Sequence, residues 1–227
     1  LVVHFHGAPP SLEPTFERSD IDAVLVILNL GIGSGRYDEA FRYPGSYDGM
    51  LQRTVIALHD MCPKAVSKIN RVALSAWSAG YGAVFRILDQ QKDAARVDAV
   101  LLADGLHANF EPGGRWEHRL EQEQLAPFLS FADDAVAGKK LFALTHSAIE
   151  TPYASTTDTS NFLLAQENIE RVAPTMAPPR PGMIPTSRGD AGNFHVMGFA
   201  GANEQAHCDH LHAFGDTLFP YLKQRWH

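Results

Sequence analysis

Val72-Ala73-Leu74-Ser75-Ala76-Trp77-Ser78-Ala79-Gly80-Tyr81-Gly82 is an apolar run that reaches a serine between small residues and then takes on helical spacing. This pattern predicts a strand, a sharp turn at Ser78 and a helix. A strained strand-to-helix turn needs residues with little side chain two positions before and two after its centre, and Ala76 and Gly80 meet that need. The first N–H groups of the helix point toward any negative charge that develops near Ser78. The sequence therefore predicts an exposed hydroxyl, placed for attack, at this turn.

The segment Ala76-Trp77-Ser78-Ala79-Gly80 resembles the nucleophile elbow of the α/β-hydrolase family, usually G-x-S-x-G, with alanine as the mildest replacement of the first glycine. The resemblance implies an esterase-like or lipase-like serine hydrolase, an α/β fold with a mostly parallel sheet and helices on both faces, and Ser78 as nucleophile. Strands that precede this part of the sheet in the family are absent from the sequence, so we expect a reduced sheet. A plain strand-turn-helix connection, capped by Ser78, is the alternative that the segment alone leaves open.

Composition predicts one soluble domain over residues 1–227. The chain has 227 residues, 45% of them hydrophobic and 20% charged, which is enough for one full core and too few for two. A net charge of −7 without a basic run argues against nucleic acid or an anionic membrane as the main partner. No apolar run approaches the roughly 18 residues that cross a bilayer, so we expect no transmembrane segment. Two cysteines, Cys62 and Cys208, are too few for a disulfide-built fold, and their oxidation state stays open.

The sequence leaves the compartment and the oligomeric state open. The chain begins at Leu1, without a methionine and already inside a predicted strand. A cytoplasmic protein and a secreted protein that has lost an upstream segment both fit that start.

The first strand ends in His6-Gly7, followed by Ala8 and two prolines. In the α/β-hydrolase family a strand that ends in His-Gly lies beside the elbow, and the resemblance implies that the N–H groups of Ala8 and Ala79 form the oxyanion hole. A plain strand exit is the alternative. His4 and His6 also suggest a metal pair, but the Asp-His that follows such a pair in binuclear metallohydrolases is missing, so we disfavour a metal here.

Apolar and periodic patterns along the rest of the chain predict the other elements. Strands are predicted over 23–30, 97–103, 140–145 and 194–199, with the first of them central in the sheet. Helices are predicted over 50–61, ending before Pro63, over 161–172 with Ser160 or Asp158 as N-cap, and from 211 onward. Loops are predicted over 31–49 and 174–192, and a small cap over 106–140. The glycines of 31–35 lack the Gly-Lys-Ser/Thr of a phosphate loop.

Two acidic residues are candidates for the third member of a catalytic triad. Asp104 stands at the end of a predicted strand, one βα unit after Ser78. Glu150 stands in the loop after the next strand, where the resemblance to many α/β-hydrolases implies the acid. We favour Asp104, because an aspartate at a strand end is held more rigidly than a glutamate in a loop rich in serine and threonine.

A cluster of histidines follows the last predicted strand. His207 fits the loop between the last strand and the last helix, where the resemblance implies the triad base, whereas His210 and His212 fall inside the helical pattern. The same histidines with Asp209 suggest zinc ligands as an alternative. The chain order of serine, aspartate and histidine favours the triad.

The sequence thus predicts a serine hydrolase that cleaves small-molecule or polymeric carboxylic esters through an acyl-enzyme on Ser78, with no cofactor. Two alternatives stay open: a binding protein that keeps the α/β-hydrolase fold without its chemistry, and a metal hydrolase with histidine ligands. The identity of the ester is not predicted. Aromatic residues that suit an apolar substrate pocket, and suit core packing equally well, are Tyr43, Trp77, Tyr81, Phe110 and Trp116.

Overall fold

The computed structural model describes residues 1–62 and 68–227 and has an α/β structure with one seven-stranded sheet. The strands are β1 (Val2–Phe5), β2 (Leu25–Leu28), β3 (Val72–Trp77), β4 (Val97–Ala103), β5 (Leu141–His146), β6 (Pro185–Ala191) and β7 (Phe194–Phe199). The helices are α1 (Pro9–Ser19), α2 (Ser34–Phe41), α3 (Ser46–Met61), α4 (Tyr81–Asp89), α5 (Gln91–Ala94), α6 (Ala126–Val136), α7 (Thr156–Gln166), α8 (Glu204–His212), α9 (Phe214–Thr217) and α10 (Phe219–Trp226). Among the helices of the described ranges, none is long and apolar enough to cross a membrane.

The strands follow the spatial order β2-β1-β3-β4-β5-β7-β6, and all of them run parallel except β6, which is antiparallel to β7. The register pairs Phe5 with Ala76, Trp77 with Ala103, and Ala103 with Thr145. The carboxyl ends of four neighbouring strands therefore lie side by side at one edge of the sheet. Ligands of open α/β sheets bind outside this edge. The residues that follow β1, β3 and β4, which include Ala8, Ser78 and Asp104, therefore lie at the edge where a binding site is expected.

Helices cover both faces of the sheet, because side chains of successive strand residues point to opposite sides. On β3, Leu74 and Ala76 pack into one core with α2, α3, α4 and α6. Ala73 points into a second core with α1, α8, α9 and α10. Five consecutive residues of β4, Ala99 to Ala103, are completely buried, as expected for a strand covered on both faces. The predicted α/β class with a mostly parallel sheet is confirmed.

The prediction that residues 23–30 form a central strand is wrong. β2 lies at the edge of the sheet and pairs only with β1, and each of its residues from Leu25 to Leu28 is partly exposed. Its apolar residues border a groove of about 710 Å³ beneath α3. This uninterrupted apolar run therefore forms a strand, but the strand is not buried on both faces.

The loop predicted over 31–49 contains α2 and the start of α3 instead. Tyr37 and Phe41 lie one helical turn apart and are buried, so aromatic spacing stabilises a helix where the composition suggested a loop. Glycines with positive φ, Gly33 and Gly45, precede both helices. The aromatic residues of this segment pack mainly on their own domain, while Tyr43 is 63% exposed.

Two further predictions at element boundaries are wrong. The irregular segment predicted over 174–192 contains β6, whose polar residues suit an exposed edge strand, and the chain turns at Gly192 into β7. The helix predicted over 161–172 begins at Thr156, because Ser155 and Asp158 form a reciprocal capping box, and it ends at Gln166.

The segment predicted as a cap, 106–140, divides into two parts. Residues 106–125 are irregular and contain 3-10 turns at Arg115–Glu117 and Gln122–Gln124. The remainder contains α6, which buries Phe128 and Phe131 in the core of the sheet. Pro63, expected to follow the end of α3, lies outside the described residues.

Three buried histidines predict that acid destabilises the fold. Burial lowers the pKa of His4 to about 3 and the pKa values of His146 and His210 to about 4. Below the ordinary histidine pKa near 6.5, the unfolded chain therefore binds protons that the folded chain does not bind. The free energy of unfolding should be highest above pH ~6.5 and fall toward pH ~4, by up to about 1.4 kcal/mol per pH unit for each histidine.

Urea unfolding at about pH 7, 6 and 5 measures this dependence. His146→Asn should make the fall shallower by about one proton, whereas the exposed control His59→Asn should leave the slope unchanged. A free energy of unfolding that is the same at these three pH values would contradict the burial of neutral histidines in the folded state.

Candidate active site

Ser78 lies at the turn between β3 and α4, at the carboxyl edge of the sheet. It begins a 3-10 turn, Ser78–Gly80, and has a φ of 49°, in the left-handed region that serine rarely adopts. Such a conformation costs about 1–3 kcal/mol and persists only where the surrounding structure enforces it. The side chain at this position is partly exposed. The structure therefore holds one hydroxyl on a strained turn, facing the edge where ligands bind.

Two glycines allow the turn to sit close to its neighbouring strands. A Cβ atom on Gly80 would overlap the carbonyl group of Phe5 in β1. A Cβ atom on Gly105 would lie only 2.6 Å from the backbone nitrogen and oxygen of Ser78. Gly105 was not identified from the sequence as part of the site, although it directly follows Asp104. The turn at Ser78 thus depends on glycines from two different segments.

Asp104 follows the last residue of β4 and is 2% exposed. Its Oδ1 accepts hydrogen bonds from the N–H of Ser147 at 2.8 Å and from the hydroxyl of Thr156 at 2.6 Å. Its Oδ2 lies 2.7 Å from Nδ1 of His207. The carboxyl group is therefore fixed by three partners, of which Ser147 and Thr156 were not predicted as site residues.

The charge state of Asp104 determines the proton on His207. Burial alone would raise the pKa of the Asp104 carboxyl, but the hydrogen bonds from His207 and Thr156 outweigh it and hold that pKa well below its usual range. An ionised carboxylate only accepts hydrogen bonds, so Nδ1 of His207 must carry the hydrogen. The other ring nitrogen, Nε2, is then free to act as a base.

His207 lies in the first turn of α8 and not in a loop, so its predicted placement is wrong. The helix begins early because the side chain of Asn203 accepts a hydrogen bond from the N–H of Ala206 at 2.9 Å. The His207 side chain is 25% exposed. A helix gives the imidazole a more rigid support than the expected loop.

Ser78, Asp104 and His207 line a single cavity of about 520 Å³. Its wall is mostly built from residues with hydroxyl, amide, imidazole or carboxylate groups. The remaining lining residues are His107, Ser147, Ile149, Thr151, Tyr153, Thr156, Ala202, Asn203, Glu204 and Cys208. A concave site that gathers a serine, a histidine and an ionised aspartate has the parts needed for acid–base-assisted nucleophilic chemistry.

Ala8 and Ala79, predicted to form an oxyanion hole, lie at the beginnings of two helices. Ala8 is the N-cap of α1 and follows Gly7, which has a φ of 113°. Ala79 is the second residue of the 3-10 turn that leads into α4. The first N–H groups of a helix have no partner within it, and the positive ends of both helix dipoles lie at the carboxyl edge of the sheet. This edge therefore favours negative charge.

Glu150, the alternative acid, is not brought to His207. It is exposed and lines a second cavity of about 410 Å³ together with Phe110 and Trp116. Of the aromatic residues considered for a substrate pocket, none lines the cavity that contains Ser78. The aromatic residue at that cavity is Tyr153, which the sequence did not single out.

The histidines proposed as metal ligands have other partners. Nδ1 of His210 lies 2.7 Å from the hydroxyl of Thr145, and Nδ1 of His4 lies 2.8 Å from the hydroxyl of Ser75. Within residues 1–62 and 68–227, no group of three histidine, cysteine or acidic side chains is arranged to hold a metal ion. The side chains that the zinc hypothesis grouped together therefore diverge.

Comparisons with known proteins add no functional assignment. The chain was compared with protein-family models, with curated proteins and with solved structures, and none of the three comparisons gave a match. Inference about function therefore starts from the geometry of Ser78, His207 and Asp104.

Proposed function

We propose that this protein is a serine hydrolase of the α/β-hydrolase type that cleaves carboxylic esters. The observation that carries the proposal is the 2.7 Å contact between Nδ1 of His207 and the buried carboxylate of Asp104, in the cavity that also contains Ser78. The strained φ of Ser78 supports it, because strain of this kind concentrates at functional sites.

The proposed reaction proceeds through two acyl transfers. Nε2 of His207 takes the proton of the Ser78 hydroxyl as its oxygen attacks the ester carbonyl carbon. The N–H groups of Ala8 and Ala79 stabilise the oxyanion, and the imidazolium then protonates the departing alcohol as the carbon–oxygen bond breaks. His207 next removes a proton from water, which attacks the acyl-enzyme, and it returns this proton to the Ser78 oxygen as the bond between that oxygen and the acyl carbon breaks and the carboxylic acid leaves. Asp104 stays ionised and stabilises the imidazolium.

The topology also supports this type of fold. The three proposed catalytic residues follow β3, β4 and β7, and they occur along the chain in the order serine, aspartate, histidine. Ser78 and Asp104 directly follow parallel strands, and His207 lies in α8 beyond β7 and lines the same cavity, at the edge of the sheet where α/β enzymes place their chemistry.

Hydrolysis of p-nitrophenyl acetate by the purified protein, with and without EDTA, tests the proposal against its alternatives. A triad should hydrolyse this ester equally well in both conditions, since it uses no metal. Activity that EDTA abolishes and zinc restores would favour the metal hydrolase. The absence of hydrolysis for every ester in a broad panel would favour a binding protein that has the fold alone.

The composition of the cavity predicts a preference for short acyl groups. Among the described residues that line it, only Ile149 and Ala202 are aliphatic, so the apolar part of the wall comes mostly from short or polar-tipped side chains and offers no continuous aliphatic channel for a long alkyl chain. Each methylene that enters an apolar channel would gain about 0.8 kcal/mol, and this gain is missing here. The ratio kcat/KM should therefore be higher for p-nitrophenyl acetate and butyrate than for the palmitate. A steady rise of kcat/KM with chain length would contradict this prediction.

A further inference from the structure

The indole of Trp77 contacts two histidine rings. Its centroid is 5.0 Å from that of His6, and the two planes differ by 9°. It is 4.8 Å from the centroid of His207, with the planes tilted by 32°. We refer to His6, Trp77 and His207 as the triple stack.

Hydrogen bonds hold the triple stack at two points. Nε1–H of Trp77 donates to the main-chain oxygen of His207 at 3.0 Å. Nδ1 of His6 lies 2.9 Å from the hydroxyl of Tyr37, which is completely buried. The Tyr37 hydroxyl in turn accepts a hydrogen bond from the N–H of Leu30 at 3.0 Å. Continuous contacts therefore run from the main chain of His207 in α8, through Trp77 and His6, to the buried Tyr37.

The triple stack connects the three parts of the proposed catalytic machinery. His6 directly precedes Gly7 and Ala8, Trp77 directly precedes Ser78, and His207 is the proposed base. His6 directly follows β1, Trp77 is the last residue of β3 and His207 lies in α8, so the three residues come from segments that are distant in the sequence. Two aromatic contacts, both made by Trp77, therefore link the segment of Ala8, the turn of Ser78 and the proposed base.

We propose that Trp77 is a positioning residue, which holds the His207 ring against Asp104 and stabilises the imidazolium that forms during ester cleavage. This inference rests on the proposed function, since it assigns a role to Trp77 in the same reaction. A cation within about 6 Å of an indole centroid is attracted by the ring face, and the 4.8 Å separation lies within that range. The attraction exists only while His207 is protonated, so it favours the charged intermediate.

Several charged and titratable groups surround His207 and act on its imidazolium together with Trp77. Asp104 contacts Nδ1, and Glu204 lies one turn earlier on α8 and lines the same cavity. His6, His107 and His210 are the other imidazoles near it. Burial and the neighbouring His207 lower the pKa of His6, which disfavours a second positive charge in the triple stack.

Replacement of Trp77 with leucine and with phenylalanine distinguishes the contribution of the aromatic ring from that of its N–H group. In Trp77→Leu the titration midpoint of the His207 imidazole, measured by NMR, should fall by about half a pH unit, because the ring face is lost. The acid limb of the kcat/KM profile should move by the same amount, and kcat should fall about tenfold with little change in KM. In Trp77→Phe the midpoint should shift much less than in Trp77→Leu, because phenylalanine retains a ring. The value of kcat should fall only a few-fold, because phenylalanine lacks the N–H donor.

Trp116→Leu is the matched control, because this indole is 90% exposed and lies outside the cavity of Ser78. It should leave the midpoint and kcat unchanged. A wild-type midpoint and kcat in folded Trp77→Leu would overturn the proposal, as would a midpoint in Trp77→Phe that falls as far as in Trp77→Leu. The NMR titration needs no substrate, so a shifted midpoint in a protein without esterase activity would contradict the proposed function and support the effect of the stack on His207.

Discussion

Ser78→Ala is expected to lower kcat for p-nitrophenyl acetate by about 10⁴-fold or more while the protein stays folded. The substitution removes the oxygen that is proposed to attack the ester, and the remaining cavity and oxyanion hole give only the modest rate of a site without a nucleophile. Because Ser78 is partly exposed and makes no side-chain hydrogen bond within the described chain, its hydroxyl contributes little to stability.

Ser130→Ala provides the matched control, since Ser130 is an exposed serine on α6, away from the cavity. It should retain full activity. Circular dichroism and the midpoint of urea unfolding should be alike for both variants and the wild type. A folded Ser78→Ala variant that still hydrolyses the ester at the wild-type rate would exclude Ser78 as the nucleophile.

The second large effect is expected for Asp104→Asn, which should lower kcat by about 10⁴-fold. The asparagine oxygen still accepts the hydrogen bonds from Ser147 and Thr156, so the fold should persist. Its amide group, however, donates toward Nδ1 of His207 and thereby favours the tautomer whose Nε2 carries a hydrogen and cannot act as a base. The variant also removes the negative charge that stabilises the imidazolium.

Glu150→Gln is the control for Asp104→Asn, because Glu150 is exposed and lines the neighbouring cavity. It should change kcat by less than about twofold, within the range of a surface charge effect. Measurement of kcat for both variants on one ester at pH ~8 checks the assignment. The reverse order of effects would place the acid at Glu150 and contradict the contact between Asp104 and His207 as the functional one.

Local sequence patterns predicted the strands and their carboxyl ends well. The apolar runs at 72–77, 97–103 and 194–199 are all strands with those limits, because residues buried on both faces of a parallel sheet must be apolar. Ser78 and Asp104 both directly follow such a run, which places them at the edge where sites form, and the small residues Ala76 and Gly80 are the further signal for Ser78.

Properties that depend on strand order or on packing between distant segments could not be predicted in this way. The sequence favours Asp104 over Glu150 only through the expected rigidity of a strand end, because the contact with His207 depends on which strand end faces α8. The edge position of β2 and the burial of Tyr37 and Phe41 depend likewise on the neighbours that each element acquires in the sheet. The triple stack joins residues more than 120 positions apart and has no local signature.

The helical placement of His207 follows from a capping residue in the sequence and not from apolar spacing. Asn203 is a good N-cap residue, and a helix that starts after it includes position 207. The capping box of Ser155 and Asp158 would similarly have identified the first turn of α7. In both α7 and α8, the capping residues mark the beginning of the helix better than apolar spacing does.

Covalent labelling with a fluorophosphonate tests the central claim, that His207 and Asp104 activate Ser78 as a nucleophile, most directly. The phosphonyl group reacts with an activated serine oxygen, fluoride leaves, and the adduct is located by mass spectrometry of peptides. We predict one adduct, on Ser78, in the wild type, and a much slower reaction in Asp104→Asn. A folded wild-type protein that stays unlabelled, or that carries its adduct on another residue, would contradict the account.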